Sequence, residues 1–232
     1  MDKTLSALSN TVREWMILPA TVLNNIAGGR VTPNQVTLTS LLGHLLIVWA
    51  LIGWHPIIAA VLLIFFGLMD SLDGALARLQ KTSSPRGMLY DSCSDRVKEV
   101  LIYIGLIFWA PSTAITYANN PGILPDFLLR YGHGYGYLSA NWIIVAVCGM
   151  SLVVSYIRAR GETALIASGA YAHKDVNKVF SDGLGRYEIR MALIIIGLLT
   201  NTIIIVLPIL LLIVTYTALV RIVKVSKLLS NV

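Results

Sequence analysis

Long apolar runs, broken at a small number of polar points, set the first expectation for this chain. They run from about Val36 to Trp54, Pro56 to Asp70, Met88 to Trp109, Trp142 to Tyr156, Met191 to Leu207 and Leu207 to Val223, the second continuing helically to about Arg78. Each is of the order of the ~20 residues a helix needs to cross the hydrocarbon of a bilayer. The pattern predicts an all-α integral membrane protein with six transmembrane helices.

Ahead of these runs, residues 1–31 set Leu5, Leu8, Val12, Trp15, Met16, Leu18 and Val22 among polar positions at roughly helical spacing. That pattern predicts an N-terminal amphipathic helix lying in the membrane interface, ended by Gly28-Gly29. Residues 32–232 then form one transmembrane domain. Thr32-Pro33-Asn34-Gln35 opens its first span, His55-Pro56 turns into the second, and Lys81 to Gly87 is a short polar loop. Pro111 to Asn141 reads as the longest loop, and a polar connection follows the fourth span as far as Tyr187. There is no internal repeat.

Composition agrees with this reading. Of 232 residues, 56% are hydrophobic and 13% charged, with a mean hydropathy of +0.73, which excludes an ordinary soluble domain. The N-terminus lacks a basic start followed by an uninterrupted apolar core, so no cleavable signal peptide is expected. Cys93 and Cys148 give neither disulfide nor zinc spacing. A net charge of +6 in so apolar a chain is assigned to topology and anionic headgroups rather than to nucleic acid. Segments 1–35, 78–98, 158–190 and 221–232 hold three, five, six and three of the 18 lysines and arginines, leaving Arg130 apart. An even number of spans with both termini on the cytoplasmic side of the cell membrane accounts for that distribution.

Four aspartates interrupt the apolar pattern. Asp70 and Asp73 are three residues apart, Asp91 and Asp95 four apart, so each pair lies on one helical face. Carboxylates in hydrocarbon cost roughly 2.5–3.5 kcal/mol each, and four together demand a compensating partner. Hard oxygen donors on two helices suit Mg2+, Mn2+ or Ca2+, and no His or Cys stands at ligand spacing for zinc. A pair of metals about 3.5–4 Å apart activates phosphoryl centres toward displacement. Asp70 lies eight residues before Arg78, about 12 Å deeper along a helix, which sets the site just below the headgroups and facing the cytoplasm. Gly74 allows a ligand close to the backbone. A plainer use of these residues is ion pairing, Asp73 with Arg78 or Asp95 with Arg86, with Gly74 and Gly87 as packing glycines. His44, His55, His133 and His173 are read as packing or surface residues.

The pattern D-x2-D-G-x2-A-R-x8-G-x3-D-x3-D, spanning 26 residues with eight specified, resembles the signature of the CDP-alcohol phosphotransferase (phosphatidyltransferase) family, and every specified position is matched. Six spans and an amphipathic N-terminal helix agree with that family over almost the whole chain. The resemblance implies transfer of a substituted phosphate from CDP-diacylglycerol to an alcohol, with release of CMP, in phospholipid biosynthesis. It implies that Asp70, Asp73 and Asp91, with Asp95 close by, bind two Mg2+ or Mn2+ ions, and that Asp95 is the general base on the acceptor hydroxyl. It also implies contacts to the cytidine diphosphate from Thr32, Pro33, Asn34, Gln35, Gly74, Arg78 and Ser84, and a homodimer. For the Thr32-to-Gln35 motif, a helix N-cap with proline near its first position is an equal alternative.

Arg158 ends the fourth span, Arg186 and Arg190 precede the fifth, and Arg221 lies near the end of the sixth. Arginines converging from three helices suit a phosphate on the acceptor, because the guanidinium fork matches phosphate oxygens. Topology alone also collects arginines there. The string SYIRARGE over 155–162 is similar to a segment of bacterial phosphatidylinositol-phosphate synthases, which implies that Arg158, Arg186 and Arg221 line a pocket for inositol phosphate. The 163–185 connection, with Tyr171, His173, Lys174 and Asp182, departs from the synthase pattern. Glycerol 3-phosphate, and so a phosphatidylglycerol-phosphate synthase, is the close rival. From another class, a cation transporter would use the four aspartates as its ion site, but its interrupted helices and inverted repeats are missing.

Overall fold

The computed structural model describes residues 15–118, 136–169, 179–180 and 185–230, with side chains for all but 111–118 and 136–140. Residues 1–14 of the expected interfacial helix, Arg130, His133, Tyr171, His173, Lys174 and Asp182 lie outside the described residues. Among the described residues seven helices follow one another: α1 (Ile17–Ile26), α2 (Pro33–Ile52), α3 (Pro56–Leu79), α4 (Pro85–Ala118), α5 (Gly136–Ala167), α6 (Tyr187–Leu199) and α7 (Ile203–Ser230). Contacts divide the chain into two compact units, the first ending at Leu106.

In the first unit, the start of α2 is locally encoded. The Thr32 hydroxyl accepts from the Gln35 backbone N–H at 3.3 Å, and the Gln35 side chain accepts from the Thr32 N–H at 2.9 Å. This reciprocal capping box, with Pro33 in the first turn, satisfies amides that a helix start otherwise leaves open. The inner face of α2 buries Thr37, Ser40 and His44 toward its start and Ile47, Ala50 and Leu51 toward its end. Its outer face exposes Leu38, Leu42, Leu45, Leu46 and Trp49. Polar groups inside and leucines outside is an arrangement for lipid rather than water.

α3 packs against α2 at Gly43, where a Cβ would collide with the Phe66 ring. The outer face of α3 is again apolar, with Ile57, Val61, Ile64, Phe65 and Leu68 exposed. Its end is tied back: the Gln80 amide donates to the Val31 carbonyl at 2.8 Å and to Asn24 Oδ1 at 3.0 Å, joining the end of α3 to α1 and to the α1–α2 connection. α1 itself exposes Ile17, Leu18, Val22 and Ile26 and buries Ala20.

In the second unit, α7 packs against α5 and α6. Leu165, Phe180 and Val225 form one cluster between the far ends of α5 and α7. The expected 111–141 loop is shorter than read from the sequence, because α4 runs to Ala118 and α5 starts at Gly136. Two further expected boundaries shift. The break expected at Leu207 falls instead at Thr200 to Thr202, where Asn201 has φ 61° and the Thr200 hydroxyl bonds the Ile196 carbonyl at 2.6 Å and the Thr202 hydroxyl at 2.7 Å. Asn tolerates the left-handed region, so a polar Thr-Asn-Thr turn ends α6, while Pro208 is carried inside α7 near its start. The fourth run, expected to end near Tyr156, continues as α5 to Ala167, helped by an Arg158–Glu162 ion pair one turn apart at 2.9 Å.

Among the described residues, four stretches are long and apolar enough to cross a membrane: Pro33–Ile52, Pro56–Leu79, Asn141–Ala167 and Ile203–Ser230. The other two expected spans lie in α4, whose first turns are rich in charge, and in α6, which has 13 residues.

Candidate active site

Three helices of the first unit build one polar cluster. α3 presents Asp70 and Asp73 toward its charged end, α4 presents Asp91, Asp95 and Lys98, and α2 presents Thr37, Ser40 and His44. Residues 91, 95 and 98 are spaced four and three apart and so share one face of α4, as 70 and 73 do on α3 and 37, 40 and 44 on α2.

The bonds between these faces are specific. The Thr37 hydroxyl donates to Asp73 Oδ2 at 2.5 Å, and Asp73 is buried, 4% exposed. The Ser40 hydroxyl lies 2.8 Å from Asp70 Oδ1 and 3.0 Å from the Phe66 carbonyl. His44 is fully buried one turn further along, its Nδ1 2.8 Å from the Ser40 carbonyl, so that N–H holds the turn carrying Ser40. The packing role expected of His44 is therefore also a supporting role for Asp70. Lys98, fully buried, places its ammonium 2.6 Å from Asp70 Oδ1 and 3.0 Å from Asp95 Oδ1. Arg96 pairs with Glu99 at 2.9 Å and stands 3.9 Å from Asp95. Asp73 lies within electrostatic reach of Asp91 and Asp70, and Asp91 of Asp95.

The structure thus brings all four aspartates into one neighbourhood, with partners other than those of the simple ion-pair expectation. Asp73 is held by Thr37 rather than Arg78, and Asp95 by Lys98 rather than Arg86. Among the described residues, no three His, Cys, Asp or Glu side chains already converge on one point as metal ligands. The donor set nevertheless fits a divalent cation. It consists of hard oxygens, and Asp70 Oδ2 is buried with no hydrogen-bond partner among the described residues. A buried carboxylate oxygen left bare is costly, and a cation is the partner it lacks.

The residues expected to meet a nucleotide stand at the starts of α2 and α4 and in the last turns of α3. Ser84 caps α4, its hydroxyl accepting from the Gly87 N–H at 3.1 Å. A Cβ on Gly87 would meet Ser84 Oγ at 3.4 Å and Asn34 Oδ1 at 3.9 Å, so the starts of α2 and α4 lie side by side. Two adjacent helix starts offer partial positive charge to an anion. The Thr32 and Gln35 side chains each accept from the other residue's backbone N–H, which bears out the capping role. Asn34 is exposed, Gly74 opens onto the Arg78 guanidinium, which a Cβ there would meet at 3.6 Å, and Arg78 is exposed.

A second polar group belongs to the other unit. Arg221 on α7 is 6% exposed. Its guanidinium donates to the Val154 and Phe180 carbonyls at 3.3 Å each and lies over the Phe180 ring, 5.9 Å from its centroid, while its Nε has no partner among the described residues. It feels the charges of Arg158, Arg190 and Arg186. Arg158 is exposed and paired with Glu162, and Arg186 pairs with Glu188 at 3.3 Å. Arg190 is buried and donates to the Gly185 carbonyl at 2.6 Å. The Gly185 N–H in turn donates to the Thr217 hydroxyl at 3.0 Å, and a Cβ on Gly185 would lie 2.7 Å from that oxygen. Arg190 and Thr217 thereby fix the backbone just before Arg186.

Thr37, Ser40 and Lys98 were not among the expected site residues, and Arg190 was named among the converging arginines but not in the pocket-lining set. Lys98 carries a signal in hindsight, a lone cation in the register of Asp91 and Asp95 before an apolar run. Thr37 and Ser40 carry none, because small hydroxyls are common inside membrane helices.

Comparison with known proteins follows the same lines. The family model described as CDP-alcohol phosphatidyltransferase matches residues 30–225. A phosphatidylinositol phosphate synthase from Corynebacterium glutamicum is 28% identical over 138 residues, 58% of this chain and 53% of the relative. One from Mycobacteroides abscessus is 26% identical over 130 residues, 52% of this chain and 49% of the relative. The chain thus spans about half the length of the curated relatives it matches. Crystal structures of the Mycobacterium tuberculosis phosphatidylinositol phosphate synthase share the fold at 20% identity. The form with CDP-DAG bound has a TM-score of 0.65 over 90% of this chain and 92% of that one. The form in complex with manganese and citrate gives 0.64 over 90% and 88%.

Proposed function

Because the chain belongs to the CDP-alcohol phosphatidyltransferase family, we propose that it transfers the phosphatidyl group of CDP-diacylglycerol to inositol phosphate and releases CMP. The observation that carries a phosphorylated acceptor is that Arg158, Arg190 and Arg186 all lie within electrostatic reach of the buried Arg221, where Glu162 is the counter-charge. Four arginines against Glu162 and Glu188 leave an excess of positive charge that favours an anion, and guanidinium forks match a phosphate. The naming of the relatives from Corynebacterium and Mycobacteroides as phosphatidylinositol phosphate synthases supports the same acceptor.

Asp70, Asp73 and Asp91, with Asp95 beside them, would hold two Mg2+ or Mn2+ ions, which would supply positive charge to stabilise the charge that develops during phosphoryl transfer. Thr37 and Ser40 aim the α3 carboxylates. Asp95 accepts the proton of the acceptor hydroxyl as its oxygen bonds to the lipid-bearing phosphorus and the bond from that phosphorus to CMP breaks. The helix starts at Asn34 and Ser84, with Thr32, Pro33, Gln35, Gly74 and Arg78, receive the cytidine diphosphate. Arg158, Arg186 and Arg221 hold the phosphate of the acceptor. In this reading α4 and α6 complete six spans, residues 1–31 lie on the membrane surface, the site faces the cytoplasm at the cell membrane, and two copies form a homodimer.

The test is CMP release by purified protein with CDP-diacylglycerol and Mg2+ or Mn2+, offered inositol phosphate, glycerol 3-phosphate or serine separately. Release with inositol phosphate alone is the expected result. Release with glycerol 3-phosphate and not inositol phosphate assigns the rival acceptor. No release with any acceptor, together with cation uptake into proteoliposomes, would replace transfer by transport.

A further inference from the structure

We infer that Lys98 is a built-in counter-cation of the aspartate cluster, holding Asp70 and Asp95 together when no metal is bound and lowering the dependence of the fold on metal. The inference rests on the proposed reading of the aspartates as a metal site and adds to it a residue outside the matched signature.

Three observations carry it. First, the Lys98 side chain is fully buried, and its ammonium reaches one oxygen of each of two aspartates on different helices, 2.6 Å to Asp70 on α3 and 3.0 Å to Asp95 on α4. A buried ammonium must be paired, and carboxylates so close to one another need positive charge between them. Second, the other cation near Asp95 is engaged elsewhere: Arg96 is bonded to the buried Glu99 and stands 3.9 Å from Asp95. Third, Asp70 divides its labour. Oδ1 takes Lys98 and the Ser40 hydroxyl, while Oδ2 stays buried without a partner among the described residues. Lys98 therefore compensates one charge and orients Asp70 so that its free oxygen is left for a further cation.

Four carboxylates against Lys98, with Arg96 bonded to Glu99 and more distant from Asp95, still leave an excess of negative charge, so a divalent cation adds stability to the protein as found. Without Lys98 the same cluster has less compensation, and cation binding stabilises the fold more.

The experiment is thermal unfolding in detergent of the full chain, stripped of metal with chelator and titrated with MnCl2. Free Mn2+ is followed in parallel by electron paramagnetic resonance. The variants are Lys98→Met, Lys98→Arg, the double variant Lys98→Met/Asp95→Asn, and Asp91→Asn. Lys98→Met is expected to melt about 6 °C or more below wild type without metal. Mn2+ is expected to raise its melting temperature by more than it raises that of wild type, and Lys98→Arg to fall between the two. The double variant, which removes both charges of one pair, is expected to melt above Lys98→Met in the absence of metal.

An equal Mn2+-induced rise in wild type and Lys98→Met, with Mn2+ binding that is lost in Asp91→Asn, overturns the role of Lys98 and leaves the metal site standing. No Mn2+ binding by wild type overturns both. If Lys98→Met cannot be recovered without metal, recovery in Mn2+ supports the inference. A double variant that fails alongside it in both conditions makes Lys98 a packing element and overturns the inference.

Discussion

Thr37 and Asp73, 36 residues apart, are joined by a 2.5 Å hydrogen bond inside the first unit, the hydroxyl donating to the carboxylate. The same oxygen lies 3.1 Å from the Pro33 carbonyl of its own helix, a longer contact that competes for the one hydroxyl proton, so the capped start of α2 adjoins an aspartate of the family signature. Replacing Thr37 by Val keeps the shape and removes that hydroxyl. Groups that orient metal ligands typically cost about 10–100-fold in metal affinity or activity when lost. Thr37→Val is expected to raise the Mn2+ concentration for half-maximal CMP release by that range, measured by titration at saturating substrates.

Chelation with EDTA should abolish CMP release, and re-addition of Mg2+ or Mn2+ should restore it. Asp95→Asn should lower the restored rate by about 10^2–10^4-fold, the span general bases contribute. Asp95→Asn activity within a few-fold of wild type at saturating metal would remove Asp95 from the base role.

The arginines of the second unit are expected to divide by burial. Arg158 is exposed, so Arg158→Gln should raise KM for inositol phosphate at least about tenfold, the worth of a charge-assisted hydrogen bond, with little change in melting temperature. Arg221 is buried and bonded to two backbone carbonyls. Arg221→Ala should therefore lower the melting temperature as well, by about 4 °C or more. Parallel kinetics and unfolding curves separate the two behaviours.

At the α2–α3 contact, Gly43 leaves room for the Phe66 ring and for nothing larger than hydrogen. Gly43→Ala should destabilise by about 1–3 kcal/mol through overpacking, read as a fall in melting temperature. Phe66→Leu in the same chain should recover part of it. An additive loss in the double variant would show that the ring is not what the methyl meets.

The apolar runs of α2, α3, α5 and α7 and the 26-residue aspartate signature were legible in the sequence, because lipid exposure demands long uninterrupted apolar stretches and ligand faces demand helical spacing. The capping box at Thr32 and Gln35 was legible for the same local reason. The end of α6 at Asn201 was not, because a continuous apolar run on either side outweighs one polar turn in any hydropathy window. Nor was the continuation of α5 past Tyr156, where charged residues prolong a helix by pairing one turn apart.

Local spacing determined which residues share a helix face, and composition determined that those helices belong in lipid. Which face meets which was decided only by tertiary packing. Thr37 finds Asp73, Ser40 finds Asp70, Lys98 ties Asp70 to Asp95, and Arg190 fixes the Gly185 carbonyl before Arg186. The first three bonds join separate helices, and hydrogen bonds between helices depend on crossing geometry, set by close contacts such as Gly43 with Phe66, of which a one-dimensional pattern carries no trace.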